Sequence, residues 1–358
     1  MRVDQLVPAF HQGDAIGDTA FFMKKFLLSQ GFQSEIYCLD CDPELKTESK
    51  TFAEFPPPGP KDVTILHFAL PSPLGPALQK MASKKVIIYH NITPAEFFQE
   101  YSSEMACISR LGREELLSLV PHVDLALADS EYNRQELLAA GFRNTEVFPL
   151  FVDFNKYNKP INRFVHDLFR DDRLNILFVG RIVPNKRIDE LIKVVFAYKK
   201  YISPLVRLIV VGKTASLPKY YEALVRLADE FYLKPDEICF TGHIPDEEMY
   251  ALYQASDVFL SLSEHEGFGL PFLESMVFNL PIIAYNCTAV PNTLGDGGIL
   301  INRKRVDFVT ELIRVVNEDS KLREKVISAQ SQQLGIFKRK KLDDFLLKNL
   351  KTLVEGND

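Results

Sequence analysis

An α/β protein made of two doubly wound domains is the fold class this sequence predicts, on three observations. Short β-branched runs alternate with longer helical patterns along the whole chain, as parallel strands joined by crossover helices do. A polar stretch at 153–173, rich in Asn, Asp and Lys, interrupts the series, and Leu174-Asn175-Ile176-Leu177-Phe178-Val179-Gly180 restarts it. The length of 358 residues suits two domains of ordinary size.

Val3–Phe10, Glu35–Leu39, Val63–Phe68, Val86–His90, Leu125–Ala128 and Thr145–Leu150 read as strands of the first domain, with helices over 18–30, 72–83, 104–120 and 130–140. The second series reads as strands at 174–179, 206–211, 237–240, 257–261 and 281–284, and helices at 187–200, 218–231, 246–254 and 271–278. From 304 to 354, charged and apolar residues alternate at helical spacing, which predicts two amphipathic helices, the last packing back on the first domain. The expected division is therefore 1–155, joined by a C-terminal helix over 340–358, and 156–339. The two domains are expected to face each other. Ligands of open α/β sheets sit beyond the carboxyl ends of the strands, so the cleft between the domains is the expected site.

Composition narrows the function. With 46% hydrophobic and 25% charged residues the chain is globular, which excludes disorder and fibrous repeats. The 42 Lys+Arg against 48 Asp+Glu give −6, the wrong sign for a nucleic-acid binder. No apolar run approaches the ~18–20 residues that span a bilayer, and the start lacks a signal-peptide core, so a cytoplasmic protein is expected. Five cysteines, an odd number, read as reduced thiols. Phe55-Pro56-Pro57-Pro58-Gly59-Pro60 reads as a stiff surface connection.

The chemistry concentrates in Ser263-Glu264-His265-Glu266-Gly267-Phe268-Gly269-Leu270-Pro271-Phe272-Leu273-Glu274. A glycine-rich turn follows a strand, and Pro271 suits the first turn of the next helix because it lacks the N–H that would go unpaired there. The amides of such a helix start bind anions, a diphosphate among them. Glu266 and Glu274 flank the turn, and a carboxylate accepts two hydrogen bonds from a vicinal diol such as a ribose or hexose offers. Taken alone the segment also fits an ordinary turn with glutamates at a helix start. Arg181, after the strand 174–179, and Lys186, before the next helix, supply cations for phosphate oxygens; alone they also fit a solvated basic turn.

In the first domain Gly13 and Gly17, in His11-Gln12-Gly13-Asp14-Ala15-Ile16-Gly17-Asp18, let backbone approach a ligand or simply make a tight turn. His90 closes a strand, a position that raises it above the usual hydrogen-bonded histidine. Other chemistries lack their signatures. No Gly-x-Gly-x-x-Gly, Walker loop or His-Glu-x-x-His occurs, and Cys38-Leu39-Asp40-Cys41 is a single pair where a structural zinc needs four ligands.

Together, Gly180-Arg181 with Lys186 and the Glu-x7-Glu spacing from Glu266 to Glu274 closely resemble glycosyltransferase family 4. Val152-Asp153, Ala255-Ser256-Asp257 and Tyr89-His90-Asn91 add to the resemblance. It implies the GT-B fold, two facing Rossmann-like domains with the active site in the interdomain cleft. It further implies a metal-independent retaining enzyme that uses a nucleotide sugar as co-substrate and no other cofactor. Carried over by position, Glu274 holds the nucleotide ribose and Arg181 and Lys186 the diphosphate. Glu266, with the backbone at Phe268, Gly269 and Leu270, holds the hexose. His90 lies beside the sugar, the Gly13–Gly17 loop touches phosphate and acceptor, and His243 and Ile244 lie against the base. Many members have adjacent glycines in the first loop, whereas here Asp14-Ala15-Ile16 separates Gly13 from Gly17. GDP-mannose is the expected donor, UDP-hexoses standing second, and the acceptor is a glycan or lipid-linked saccharide of bacterial surface polysaccharide assembly. The basic run Lys338-Arg339-Lys340-Lys341 fits a solvated helix face better than a peripheral membrane contact. The alternative to an enzyme is a GT-B-like nucleotide-sugar-binding subunit without turnover, against which the retained glutamates and cations argue.

Overall fold

The computed structural model describes residues 1–11, 13–337 and 339–355. Two compact units divide the chain. The first holds Met1–Ala95, Glu104–Asp153 and the chain from Phe337 on, and the second holds Glu96–Ser103 and Phe154–Ile336.

The first unit contains a seven-stranded, all-parallel sheet. Its strands are β1 (Val3–Phe10), β2 (Ile36–Cys41), β3 (Lys50–Thr51), β4 (Val63–Phe68), β5 (Lys84–Tyr89), β6 (Leu125–Ala128) and β7 (Thr145–Val147), in the order β3-β2-β1-β4-β5-β6-β7. Helices α1 (Ala15–Ser29), α2 (Leu74–Gln79), α3 (Ser103–Leu119) and α4 (Glu131–Ala140) make the crossovers. Strands covered on both faces read as continuous apolar runs. Ile65 and Ile88 belong to one core with Met23, Leu27, Leu125 and Leu127, while their neighbours Leu66 and Ile87 belong to another with Leu74, Leu116 and Leu137. Helix α13 (Arg339–Glu355) completes the first of these cores with Leu342, Leu346 and Leu350.

The second unit has six parallel strands: β8 (Leu174–Val179), β9 (Val206–Val211), β10 (Ile238–Gly242), β11 (Val258–Ser261), β12 (Ile282–Tyr285) and β13 (Ile299–Ile301). Their order is β10-β9-β8-β11-β12-β13. The direction of winding reverses at β8, which puts the carboxyl ends of the adjacent β8 and β11 at the switch point where such sheets take ligands. Helices α6 (Ile188–Tyr201), α7 (Pro218–Glu230), α8 (Asp246–Ala255), α9 (Leu270–Val277), α10 (Val290–Leu294), α11 (Val306–Glu318) and α12 (Ser320–Leu334) surround the sheet, and α5 (Arg163–Phe169) precedes it. Asp189 and Glu190 in the first turn of α6 and Lys199 and Lys200 in its last complement the helix dipole.

Several expectations need correction. The polar stretch 153–173, which reads from its composition as an exposed linker, instead folds: Phe154–Asn158 forms a 3-10 turn and α5 follows, capped by the Asn162 side chain, which accepts from Val165 N at 3.2 Å. Tyr157 in this stretch is buried. The tail holds three helices, because Asp319 interrupts one periodic run and caps α12 through Leu322 N at 3.0 Å. Strands β3 and β13 and helix α10 were not anticipated, being only two, three and five residues long. Gln12 and Lys338 lie outside the described residues; Arg339, Lys340 and Lys341 open α13. Among the described residues no helix is long and apolar enough to cross a membrane.

Candidate functional site

Glycines end three neighbouring strands of the second unit. Gly180 N donates to Val211 O at 2.9 Å and Gly212 N to Gly242 O at 3.0 Å. A Cβ on Gly212 would stand 1.9 Å from Gly180 O, so only glycine permits this approach. Arg181 leaves β8 just beyond it and is exposed; His243, exposed, and Ile244, half-buried, leave β10 at the same edge. Lys186 closes a 3-10 turn at Pro184–Lys186, ahead of α6.

The loop after β11 is held from three directions. Asn185 Nδ2 donates to His265 O at 2.9 Å, and Glu264 N donates to Asn185 O at 2.8 Å. Thr288 Oγ1 accepts from Glu266 N at 2.8 Å and donates to Glu266 O at 2.9 Å. Thr293 Oγ1 donates to Phe268 O at 2.5 Å. Burial pushes the Cys287 thiol up to about 11, so at neutral pH it keeps its hydrogen and donates to Ser263 O at 3.0 Å. Gly269 closes the loop in the left-handed region (φ +89°) as the N-cap of α9, and Pro271 occupies the first turn. Leu270 starts the helix.

This frame brings two of the anticipated residues into contact. Lys186 Nζ lies 2.5 Å from Glu266 Oε2, with side chains only 15% and 12% exposed, a nearly desolvated ion pair. Glu274, on the buried side of α9, accepts from Tyr253 Oη at 2.8 Å on Oε2 and from Tyr157 Oη at 3.2 Å on Oε1. Burial raises its carboxyl above the ordinary value, and the two phenols work against that rise. Sequence reasoning missed Tyr157 and Tyr253, which lie 117 and 21 residues from their partner, and also Asn185, Thr288 and Thr293.

In the first unit, Gly13 is exposed with φ +75°. Gly17 is buried, and a Cβ there would stand 2.8 Å from His11 O, so the turn into α1 needs glycine at that position. His90 ends β5 inside a hydrogen-bonded chain. Gln5 Nε2 donates to Ala20 O at 3.0 Å, which turns Gln5 Oε1 toward His67 Nε2, 3.0 Å away. His67 Nδ1 is 3.0 Å from His90 Nε2, and His90 Nδ1 is 2.9 Å from Asp129 Oδ2. Burial holds His67 well below the ordinary histidine range, so it is neutral; donating to Gln5 from Nε2, it accepts from His90 at Nδ1. Burial raises Asp129. Both ring nitrogens are engaged and the side chain is only 2% exposed, so what His90 leaves open is its backbone. Neither His67 nor Asp129 carried any local signal of this role.

The fold and the strand-end constellation together define a GT-B protein. Anabaena HepE, solved in complex with UDP and glucose, superposes with a TM-score of 0.76 over 98% of this chain and 100% of its own, at 18% identity. Residues 159–333, within the second unit, match the family described as Glycosyl transferases group 1. The O-antigen chain mannosyltransferase B of Escherichia coli is 37% identical over 84 residues, 23% of this chain and 22% of its own length. A GDP-mannose-dependent alpha-(1-6)-phosphatidylinositol monomannoside mannosyltransferase of Mycobacterium tuberculosis (strain CDC 1551 / Oshkosh) is 26% identical over 151 residues, 40% of this chain and 38% of its own. The chain thus spans well under two thirds of either relative.

Proposed function

We propose that the protein is a retaining glycosyltransferase that moves a hexose, mannose first, from a nucleotide-diphosphate sugar to a glycan or lipid-linked saccharide in bacterial surface polysaccharide assembly. The observation that carries this reading is the cation–carboxylate pair Lys186–Glu266 at adjacent strand ends, with Glu274 buried one helix turn beyond the glycine loop. The family match over residues 159–333 supports the transferase; the names of the two mannosyltransferase relatives support mannose, and one supports GDP-mannose as donor.

Cleaving the sugar–phosphate bond develops negative charge on the leaving diphosphate and positive charge on the ring. In this reading Arg181, Lys186 and the amides at the start of α9 stabilise the diphosphate, and the hydrogen bonds of Asn185, Thr288 and Thr293 hold the loop that carries those amides. Glu266 accepts from hexose hydroxyls and Glu274 from the ribose. His243 and Ile244 receive the base, and the Gly13–Gly17 loop and His90 serve phosphate, acceptor and sugar. The departing phosphate takes the acceptor's proton on the face from which it leaves, so configuration is retained without a metal.

A thermal-shift panel of GDP-mannose, GDP, UDP-glucose and UDP tests the donor, because a bound ligand raises stability by mass action. GDP-mannose is expected to give the largest shift and UDP-glucose a smaller one. Arg181→Ala, at an exposed position, is expected to fold normally and lose transfer about 100-fold or more. Near-normal turnover in that variant refutes its role on the diphosphate.

A further inference from the structure

Beside the transferase loops the second unit has a cavity of about 460 Å³, within the range of small-molecule sites, bounded by α7, the start of α6 and the excursion Glu96–Ser103. Its apolar wall comes from Phe97, Tyr101, Tyr220, Leu224 and Leu227; Tyr101 and Tyr220 meet edge to face with centroids 5.0 Å apart. The Tyr220 side chain is unusual here. The residue is 3% exposed, and its buried hydroxyl has no hydrogen-bond partner. A buried hydroxyl left so costs about 1–3 kcal/mol, which a ligand oxygen would recover.

The charges lining the cavity decide what kind of ligand fits. At its floor Arg187 is already matched: Nη1 lies 2.6 Å from Glu264, Nη2 2.8 Å from Glu190, and Nε and Nη2 grip Asp189 at 3.1 and 3.0 Å. An anion therefore finds no spare cation there, and a cation driven to the floor meets a guanidinium. The exposed Glu96, Glu100 and Glu230 and the exposed Arg226 form no ion pair among the described residues, leaving acceptors and donors side by side. Aromatic faces, a buried hydroxyl donor and rim groups of both hydrogen-bonding senses suit a neutral polyol with C–H faces.

We propose that this cavity is a saccharide subsite that holds sugar units of the acceptor glycan, an inference that rests on the transferase reading. Its floor is continuous with that machinery, since Arg187 follows Lys186 and Glu264 stands two residues before Glu266.

The test is saturation-transfer NMR on the full chain with α-linked mannobiose, mannotriose and maltotriose, repeated on Tyr101→Ala and on Tyr220→Phe, which keeps the ring and removes the hydroxyl. At least one oligosaccharide is expected to bind, with affinity reduced tenfold or more in Tyr101→Ala and several-fold in Tyr220→Phe, and with GDP and UDP binding unchanged in both. Absence of saccharide binding, binding indifferent to both substitutions, or displacement of the sugar by spermidine overturns the subsite. Nucleotide titration is read separately: saccharide binding that persists where no nucleotide or nucleotide sugar binds refutes the transferase reading and leaves the cavity assignment standing.

Discussion

Replacing Lys186 with methionine keeps the stem of the side chain and removes its charge, leaving the Glu266 carboxylate without its partner. Breaking a fully buried ion pair costs about 3–5 kcal/mol and an exposed pair about 0–1. With the two side chains 15% and 12% exposed, the expected loss is about 2–3 kcal/mol, read by urea unfolding of the full chain. Glu266→Gln removes the other charge, and Lys186→Met combined with Glu266→Gln removes both. The double variant is expected to recover about 2 kcal/mol relative to the sum of the single losses, the coupling that contacting residues show. Transfer should behave differently: about 100-fold lower in Lys186→Met and not restored in the double variant, because charge that stabilises the leaving group is absent from both. Additive stability losses would show that the pair is not coupled. Turnover within a few-fold of wild type in Lys186→Met would falsify the electrostatic role.

Three further outcomes follow from the same geometry. Glu274→Gln keeps an acceptor for Tyr253 and Tyr157 but loses the charge, and nucleotide affinity by calorimetry is expected to fall about tenfold, or 1.4 kcal/mol; unchanged affinity removes the ribose assignment. Gly269→Ala places a side chain at φ +89° with its Cβ 2.5 Å from the buried Phe272 ring, and should lower unfolding stability by about 1–3 kcal/mol; a neutral result contradicts the strained cap. His67 is neutral in the fold and gains a proton on unfolding, so its contribution is present above the unfolded value of about 6.5 and is lost as pH falls below it, by up to about 1.4 kcal/mol per pH unit. Urea unfolding at pH 6.5 and 5.5 should show that slope in wild type and a flatter one in His67→Gln; equal slopes refute the assignment.

The architecture was legible wherever a strand is buried on both faces. Val3–Phe10, Val63–Phe68, Leu125–Ala128 and the strands at 174–179 and 206–211 have the bounds their apolar runs suggest. Helix α5 escaped notice because it is only seven residues long, lies inside a stretch rich in Asn, Asp and Lys, and starts on a single Asn162 cap. In the site, the glycine turn and the charges around it could be read because they sit within one short stretch on either side of a strand end. The ion pair itself could not, since it joins positions 80 residues apart. The same limit hid Thr288, whose left-handed backbone (φ 41°) aims its hydroxyl at Glu266, and the Asp129–His90–His67 chain, assembled from three strand ends.

The leucines of α13 have a consequence for synthesis. The sheet they cover leaves the ribosome well before they do, so its hydrophobic seam stays open until Leu350 emerges. The second unit, whose last residue is Ile336, has all its parts available sooner. The nascent first sheet therefore waits half-clad while the later unit folds, and it is the interval in which this chain is most exposed to aggregation and most dependent on a chaperone.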